Sequence, residues 1–174
     1  CRMGITVITD DKTSMKTILS DIKQLTKVGL SLSVVFSSLA GYLLAVDVVN
    51  YSTLFLLALG GFFMVGASNA FNQIIEKDTD SIMKRTQNRP LPTGRMSVNI
   101  ALSIALLFTI LGISILYSIN PKTALFGAIS IFLYTSVYTP LKSVTPLAVF
   151  VGAIPGATPF MLGWVAATNQ FGLE

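Results

Sequence analysis

With 174 residues, 52% of them hydrophobic and only 11% charged, the chain is too apolar for an ordinary soluble domain and is predicted to be an integral membrane protein. It contains no histidine, which excludes a catalytic histidine or a histidine ligand to haem or zinc, and its single cysteine excludes an internal disulfide. Its net charge of +4 comes without the basic and aromatic pattern of nucleic-acid-binding proteins, so it indicates membrane topology and anionic ligands.

Residues 1–27 are polar and mixed in charge, and are predicted to lie in water before the first membrane span. Ser20 or Asp21 is suited to cap a short amphipathic helix that ends near Thr26 and lies on the membrane surface. The segment is too polar for a signal peptide. We therefore divide the chain into an N-terminal segment, residues 1–27, and a membrane domain, residues 28–174.

Five stretches are apolar enough to be membrane-spanning helices, which predicts an all-α, polytopic transmembrane bundle. They run over about residues 29–46, 54–75, 98–119, 124–138 and 147–167. The fourth stretch is short, and Pro155 and Pro159 predict a kink in the fifth.

The basic residues predict how the bundle is oriented. If five spans alternate, the basic residues of the N-terminal segment, the five between Lys77 and Arg95, and Lys142 lie on one side, whereas Lys122 alone lies on the other. Because basic residues concentrate on the cytoplasmic side of membrane proteins, the N-terminus is predicted to be cytoplasmic.

Charged residues begin abruptly where the second predicted span ends. Asn72, Glu76 and Asp80 follow each other at intervals of four, so a helix places these three side chains on one stripe, called here the acidic stripe. Asp78 points to a different face. Oxygen ligands in this arrangement suit Mg²⁺, which prefers carboxylates and water and completes its shell with phosphate oxygens. The stripe therefore predicts a metal site that binds a diphosphate.

A basic loop, residues 83–95, follows the acidic stripe and contains Lys84, Arg85, Arg89 and Arg95. Arginine suits a diphosphate site because its planar side chain pairs with two phosphate oxygens at once. A second interpretation stays open at this point: basic loops are also ordinary topology signals, and acidic residues after an apolar helix are often a solvated helix end.

The motif N-x-x-x-E-x-D-x-D-x-x-M-x-R-T-x-N-R-P-L-P-x-G, from Asn72 to Gly94, resembles the signature of the intramembrane UbiA-type prenyltransferases, in particular the protohaem IX farnesyltransferase (haem O synthase) branch. Tyr138 and Lys142 fit the Y-x-x-x-K motif that this family places beside the diphosphate. Residues 152–164 resemble a further run of the family, G-A-x-x-G-A-x-P-x-x-x-G-W. The resemblance covers about residues 25–167 and implies the N-terminal part of a nine-helix bundle. The family's second acidic motif is not in this sequence, so a fragment is expected.

The resemblance implies a Mg²⁺-dependent transfer of a farnesyl group from farnesyl diphosphate to a vinyl group of protohaem IX, which yields haem O. It implies a multi-pass protein surrounded by the lipid of the bacterial inner membrane, with a haem-modifying enzyme or terminal oxidase assembly as a downstream partner. The expected metal ligands are Asn72, Glu76 and Asp80. The expected diphosphate-binding residues are Lys84, Arg85, Arg89, Tyr138 and Lys142; all of these except Lys84 join the metal ligands as expected catalytic residues.

Two other functions stay open. A UbiA-type enzyme acting on a quinone-precursor aromatic acid would usually show Asn-Asp where this chain has Asn72-Gln73. A transporter or channel would use its acidic residues to bind ions for passage. The acidic residues here lie at a helix end beside arginines rather than at the membrane midplane between broken helices, which favours the enzyme. This chain alone is expected to be inactive.

Overall fold

The computed structural model of the protein describes residues 6–142, 145 and 148–171, with side chains described from residue 15 onward except those of 148–151 and 155. This part of the chain is helical and contains no strand, which confirms the predicted all-α class. The helices are α1 (Thr6–Leu25), α2 (Val28–Ala45), α3 (Tyr51–Ile75), α4 (Lys77–Ile82), α5 (Val98–Ile119), α6 (Pro121–Phe132), a π-helix (Leu133–Tyr138), α7 (Thr139–Leu141) and α8 (Ala148–Thr168).

Short polar side chains fix where three of the membrane helices begin. Asn50, Ser97 and Asn120 precede α3, α5 and α6, and the side-chain oxygen of each accepts a backbone N–H of the first turn. Asn50 Oδ1 lies 3.0 Å from the nitrogen of Ser52, and Asn120 Oδ1 lies 2.7 Å from that of Thr123. Capping of this kind satisfies N–H groups that have no partner inside the helix.

Four helical stretches in the described part of the chain are long and apolar enough to cross a membrane. They are Val28–Ala45, Tyr51–Ile75, Val98–Ile119 and Pro121–Leu141, and they correspond to the first four predicted spans. The fifth predicted span begins at Leu147, outside the described residues. Because α8 covers only the remainder of that stretch, the fifth span stays a prediction.

The fourth span continues to Leu141 instead of ending near Tyr138. The π-helix lies between α6 and α7 of this span, and the backbone N–H of Thr139, directly after it, donates to the carbonyl of Tyr134. Pro140 has no N–H, and its ring would crowd the carbonyl four residues earlier in a regular α-helix. The wider π turn before Pro140 accommodates the ring, so the helix continues and brings Thr139 against α3.

Two buried clusters hold the helices together. The larger lies among the membrane helices and contains Tyr42, Leu57, Met64, Leu116, Ala124, Leu162 and Ala166. The smaller joins α1, α3 and α5 to the basic loop and contains Leu25, Ala70, Leu91, Met96, Ala101 and Ala105. Because Leu91 is only 1% exposed, the basic loop is packed against the helices rather than free in water. Burial of this side chain stabilises the loop by roughly 1.5–3 kcal/mol.

Candidate functional site

The acidic stripe spans the junction between α3 and α4. The backbone bends at Glu76, but the hydrogen bonds from Glu76 N to Asn72 O (3.0 Å) and from Asp80 N to Glu76 O (2.7 Å) keep the helical spacing across the bend. Asn72 Nδ2 donates to Glu76 Oε2 at 2.7 Å. Asn72 and Asp80 are 1% and 4% exposed, whereas Asp78 is exposed to solvent. The bend therefore leaves Asp80 on a buried face and Asp78 off it.

Lys142 and Thr139 reach the acidic stripe from the end of the fourth span. Lys142 Nζ lies 2.6 Å from Glu76 Oε1 and 3.4 Å from Asn72 Oδ1. Thr139 Oγ1 lies 3.1 Å from the same Asn72 oxygen. The Tyr138 ring lies 5.7 Å from Lys142 Nζ, measured to the ring centroid. The two motifs singled out in the sequence, nearly 70 residues apart, therefore meet in one cluster.

Arg89 of the basic loop forms an ion pair with Asp80. The Thr86 hydroxyl donates to the Asp80 carbonyl at 3.0 Å, which ties the start of the loop to α4. Pro90 and Leu91, directly after Arg89, are buried. The loop is thus anchored on both sides of the guanidinium group, and this fixes the guanidinium beside the acidic stripe.

The other basic residues of the loop behave differently. Lys84 and Arg85 are exposed, and neither takes part in the ion pairs found among the described residues. Arg95 pairs with Asp21 of α1, with Nε 3.1 Å from Oδ1, and also donates to the Asn88 carbonyl at 3.0 Å. Arg95 therefore attaches the loop to α1.

Lys27 also faces this cluster, although it was not among the predicted site residues. It joins α1 to α2 in the left-handed conformation (φ 47°, ψ 57°), which costs a residue other than glycine roughly 1–2 kcal/mol. Burial lowers the pKa of the Lys27 ammonium group below its usual value, and the positive charges of Arg89 and Lys142 lower it further, whereas Glu76 and Asp80 raise it. A phosphate group bound beside Lys27 would favour its charged form.

Gln73, next to the acidic stripe, fixes the end of α1, two residues before Lys27. Its Nε2 donates to the carbonyls of Gln24 (3.0 Å) and Leu25 (2.8 Å) at the end of α1, and its side chain is fully buried. An ionised carboxylate has no hydrogen to donate to these two carbonyls. This gives a structural reason for glutamine, rather than aspartate, at this position.

A cavity of about 310 Å³ begins beside this cluster and extends between the membrane helices. Tyr138 and Asn69 line it near the charged residues. Further from them its walls are mainly apolar and come from α2, α3, the fourth span and α8; they include Val35, Met64, Ile131 and Leu162. The arrangement places a charged cluster at one end of an apolar chamber.

The donor set of the acidic stripe limits which metal it suits. Among the described residues no group of three or more histidine, cysteine, aspartate or glutamate side chains is suitably placed to hold a metal ion. The stripe supplies two carboxylates and one amide oxygen, which does not match a four-ligand zinc site of cysteine and histidine. It fits Mg²⁺, which takes the rest of its oxygen shell from water and substrate phosphates.

The sequence pattern of the UbiA prenyltransferase family matches residues 34–174. The protoheme IX farnesyltransferase of Flavobacterium psychrophilum is 68% identical over 163 residues, which cover 92% of this chain and 54% of that protein. That of Christiangramia forsetii is 66% identical, over 90% of this chain and 52% of the relative. The human mitochondrial protoheme IX farnesyltransferase is 39% identical, over 86% of this chain and 34% of the human protein. The chain spans about half the length of the bacterial relatives it matches.

Solved membrane structures share the fold at low sequence identity. A digeranylgeranylglyceryl phosphate synthase structure matches with a TM-score of 0.80 and 22% identity, over 86% of this chain and 53% of that one. A UbiA homologue from Archaeoglobus fulgidus, bound to GPP and Mg²⁺, matches with a TM-score of 0.68 and 20% identity. The match covers 88% of this chain and 55% of the homologue. Sequence and fold agree: the chain belongs to the UbiA prenyltransferase family and is part of a multi-pass membrane protein.

Proposed function

We propose that this chain forms the diphosphate-binding part of a protohaem IX farnesyltransferase, which transfers a farnesyl group from farnesyl diphosphate to protohaem and yields haem O. The observation that carries the proposal is the cluster of Asn72, Glu76, Asp80, Arg89 and Lys142 at one end of an apolar cavity. The names of the relatives, at up to 68% identity, support protohaem as the acceptor.

Within the cluster each acidic residue is neutralised by a basic one: Lys142 pairs with Glu76, and Arg89 pairs with Asp80. Asn72, Glu76 and Asp80 would hold Mg²⁺, which when bound would neutralise diphosphate oxygens and assist their departure. Lys142 and Arg89 would then turn from the carboxylates to the phosphate oxygens. Lys27 adds a third positive charge on the α1 side, and we assign Lys84 and Arg85 to the solvent side of the same diphosphate.

The reaction breaks the bond between the allylic carbon of the farnesyl chain and the diphosphate oxygen, and the diphosphate leaves with the electron pair. The basic residues stabilise the charge that develops on it, and the Tyr138 hydroxyl donates a hydrogen bond to it. The apolar cavity keeps water from the allylic cation until a vinyl carbon of protohaem attacks. This attack moves the positive charge to the other vinyl carbon, next to the porphyrin ring. Water adds to that carbon and loses a proton, so the vinyl group becomes a hydroxyethyl link that carries the farnesyl chain.

The proposed diphosphate site predicts that farnesyl diphosphate binding requires Mg²⁺. The experiment uses the whole chain joined to the part of the Flavobacterium psychrophilum relative that follows the matched region, called here the completed protein. Titration of the purified protein with farnesyl diphosphate should give binding that is at least about tenfold weaker when Mg²⁺ is removed by a chelator. Equal affinity with and without Mg²⁺ would contradict the proposed metal site.

We further propose that the site faces the cytoplasm of a bacterial cell, at the inner membrane, with residues 1–27 as a cytoplasmic segment. The five basic residues from Lys77 to Arg95, set against Lys122 on the other side, support this orientation. A haem-modifying enzyme or terminal oxidase assembly would receive the product when the product leaves this site.

The orientation predicts which face of the membrane exposes the basic loop. After Cys1→Ser removes the native thiol, a Thr93→Cys variant of the completed protein should resist a membrane-impermeant thiol reagent in intact cells and react once the membrane is opened. Thr93 is exposed, so the thiol is accessible from its own side. Lys122→Cys is the matched control and should react in intact cells. The opposite labelling pattern would reverse the proposed topology.

A further inference from the structure

Among the α3 residues that line the cavity, Gly61 is the furthest along the helix from the charged cluster. The α3 residues Gly61, Met64, Val65, Ser68 and Asn69 line the cavity at steps of three and four, so they form one stripe along the helix. Eight residues separate Asn69, near the charged cluster, from Gly61, which corresponds to about 12 Å along the helix axis. The cavity is therefore an elongated chamber with Gly61 in its deep part.

Gly60 and Gly61 are adjacent glycines that need different explanations. A Cβ atom at Gly60 would lie 2.8 Å from Leu116 Cδ2, so a side chain there would force Leu116 of α5 to shift. A Cβ atom at Gly61 would meet only Val35 Cγ2 at 3.7 Å, an ordinary contact. Because glycine in the middle of a helix is less favourable than alanine, helix packing alone does not account for Gly61.

The space beside Gly61 belongs to the cavity, because both Gly61 and Val35 line it. Near its deep end, α2 and α8 approach until their backbones touch. A Cβ atom at Gly163 would collide with the carbonyl of Ser38, and one at Gly41 would collide with the carbonyl of Phe160. Ser38 also lines the cavity, so this backbone contact bounds the cavity on the side of α2 and α8. The missing side chain of residue 61 therefore adds space to the cavity beside Val35, about one turn of α2 from that contact.

We propose that Gly61 determines the length of the isoprenoid chain that the cavity accepts. This inference rests on the proposed function, in which the diphosphate binds at the charged cluster and the chain extends into the cavity. A larger side chain at position 61 would occupy the space of the last isoprene unit of a farnesyl group. It would leave room for a geranyl group, which is one unit shorter.

The test measures how tightly farnesyl and geranyl diphosphate bind, each with Mg²⁺, to the completed protein and to its Gly61→Ala and Gly61→Val variants. Gly29→Val is the matched control, because a Cβ atom at Gly29 would meet nothing within 4 Å and Gly29 does not line this cavity. Gly61→Val combined with Val35→Ala is the compensating variant, since it returns room to the same part of the cavity. Helix content, measured by circular dichroism, checks that every variant folds.

Gly61→Val should lower the affinity for farnesyl diphosphate relative to geranyl diphosphate by about tenfold or more, the size expected for excluding part of an apolar group. Gly61→Ala should shift the ratio of the two affinities in the same direction but by less. The compensating variant should partly restore the ratio of the parent protein. An unchanged ratio in both folded single variants would overturn the inference. If the ratio shifts but the completed protein, given protohaem IX, farnesyl diphosphate and Mg²⁺, forms no farnesylated haem, the inference stands and the protohaem acceptor is wrong. If the parent binds neither diphosphate, both proposals fail.

Discussion

Asp80→Asn should lower the turnover of the completed protein by at least about a hundredfold, the size typical for removing one group that stabilises a developing charge. Asparagine has nearly the same shape as aspartate but lacks the negative charge that would hold Mg²⁺. The substitution also leaves the Arg89 guanidinium without its acidic partner. The hydrogen bond from Asp80 N to Glu76 O involves only the backbone, so the helix and its insertion in the membrane should persist.

Asp78→Asn is the matched control, two residues away in the same helix. The Asp78 side chain is exposed, and its carbonyl, rather than its carboxylate, accepts the Ser81 hydroxyl at 2.6 Å. The substitution should therefore leave most of the turnover intact. The measurement that compares the two variants is the amount of product formed per amount of protein in the membrane. If both substitutions lowered turnover equally, the assignment of Asp80 as a metal ligand would be wrong, and the stripe would lack its proposed third ligand.

The membrane helices were predictable because they depend on local sequence. Residues 54–75 contain no charge, and an uncharged stretch of that length is enough to cross a membrane as a helix. The contact between Asn72 and Glu76 was also predictable, since side chains four apart on a helix are neighbours. The π-helix before Pro140 was not predictable. A proline indicates that the helix is disturbed, but it does not indicate how the helix accommodates the ring.

The parts of the site that the sequence does not show depend on contacts between distant residues. Gln73 reaches the end of α1 across 49 positions, and Arg95 reaches Asp21 across 74. No spacing rule links such residues. Lys27 gave no local signal either, since a lysine before a first membrane span is an ordinary topology residue. Its place beside the two ion pairs follows only from the left-handed junction between α1 and α2 and from the Gln73 hydrogen bonds that hold that junction.

The structure distinguishes two arginines of the basic loop. Arg89 and Arg95 both follow the acidic stripe, and as arginines both are suited to bind a phosphate. In the folded chain Arg89 pairs with Asp80 of the stripe, whereas Arg95 pairs with Asp21 of the N-terminal segment. We therefore assign Arg89 to the chemistry and Arg95 to the position of the loop.

Formation of haem O tests the central claim most directly. The completed protein and this chain alone, each purified in lipid, receive Mg²⁺, farnesyl diphosphate and either protohaem IX or a quinone-precursor aromatic acid, and the products are identified by mass spectrometry. The completed protein should convert protohaem to haem O and leave the aromatic acid unchanged. The chain alone should form no product, because its acidic stripe supplies metal ligands from one side only and the described groups include no second set. A farnesylated aromatic acid without haem O would contradict the proposed acceptor, and haem O from the chain alone would contradict the proposal that this chain holds only part of the site.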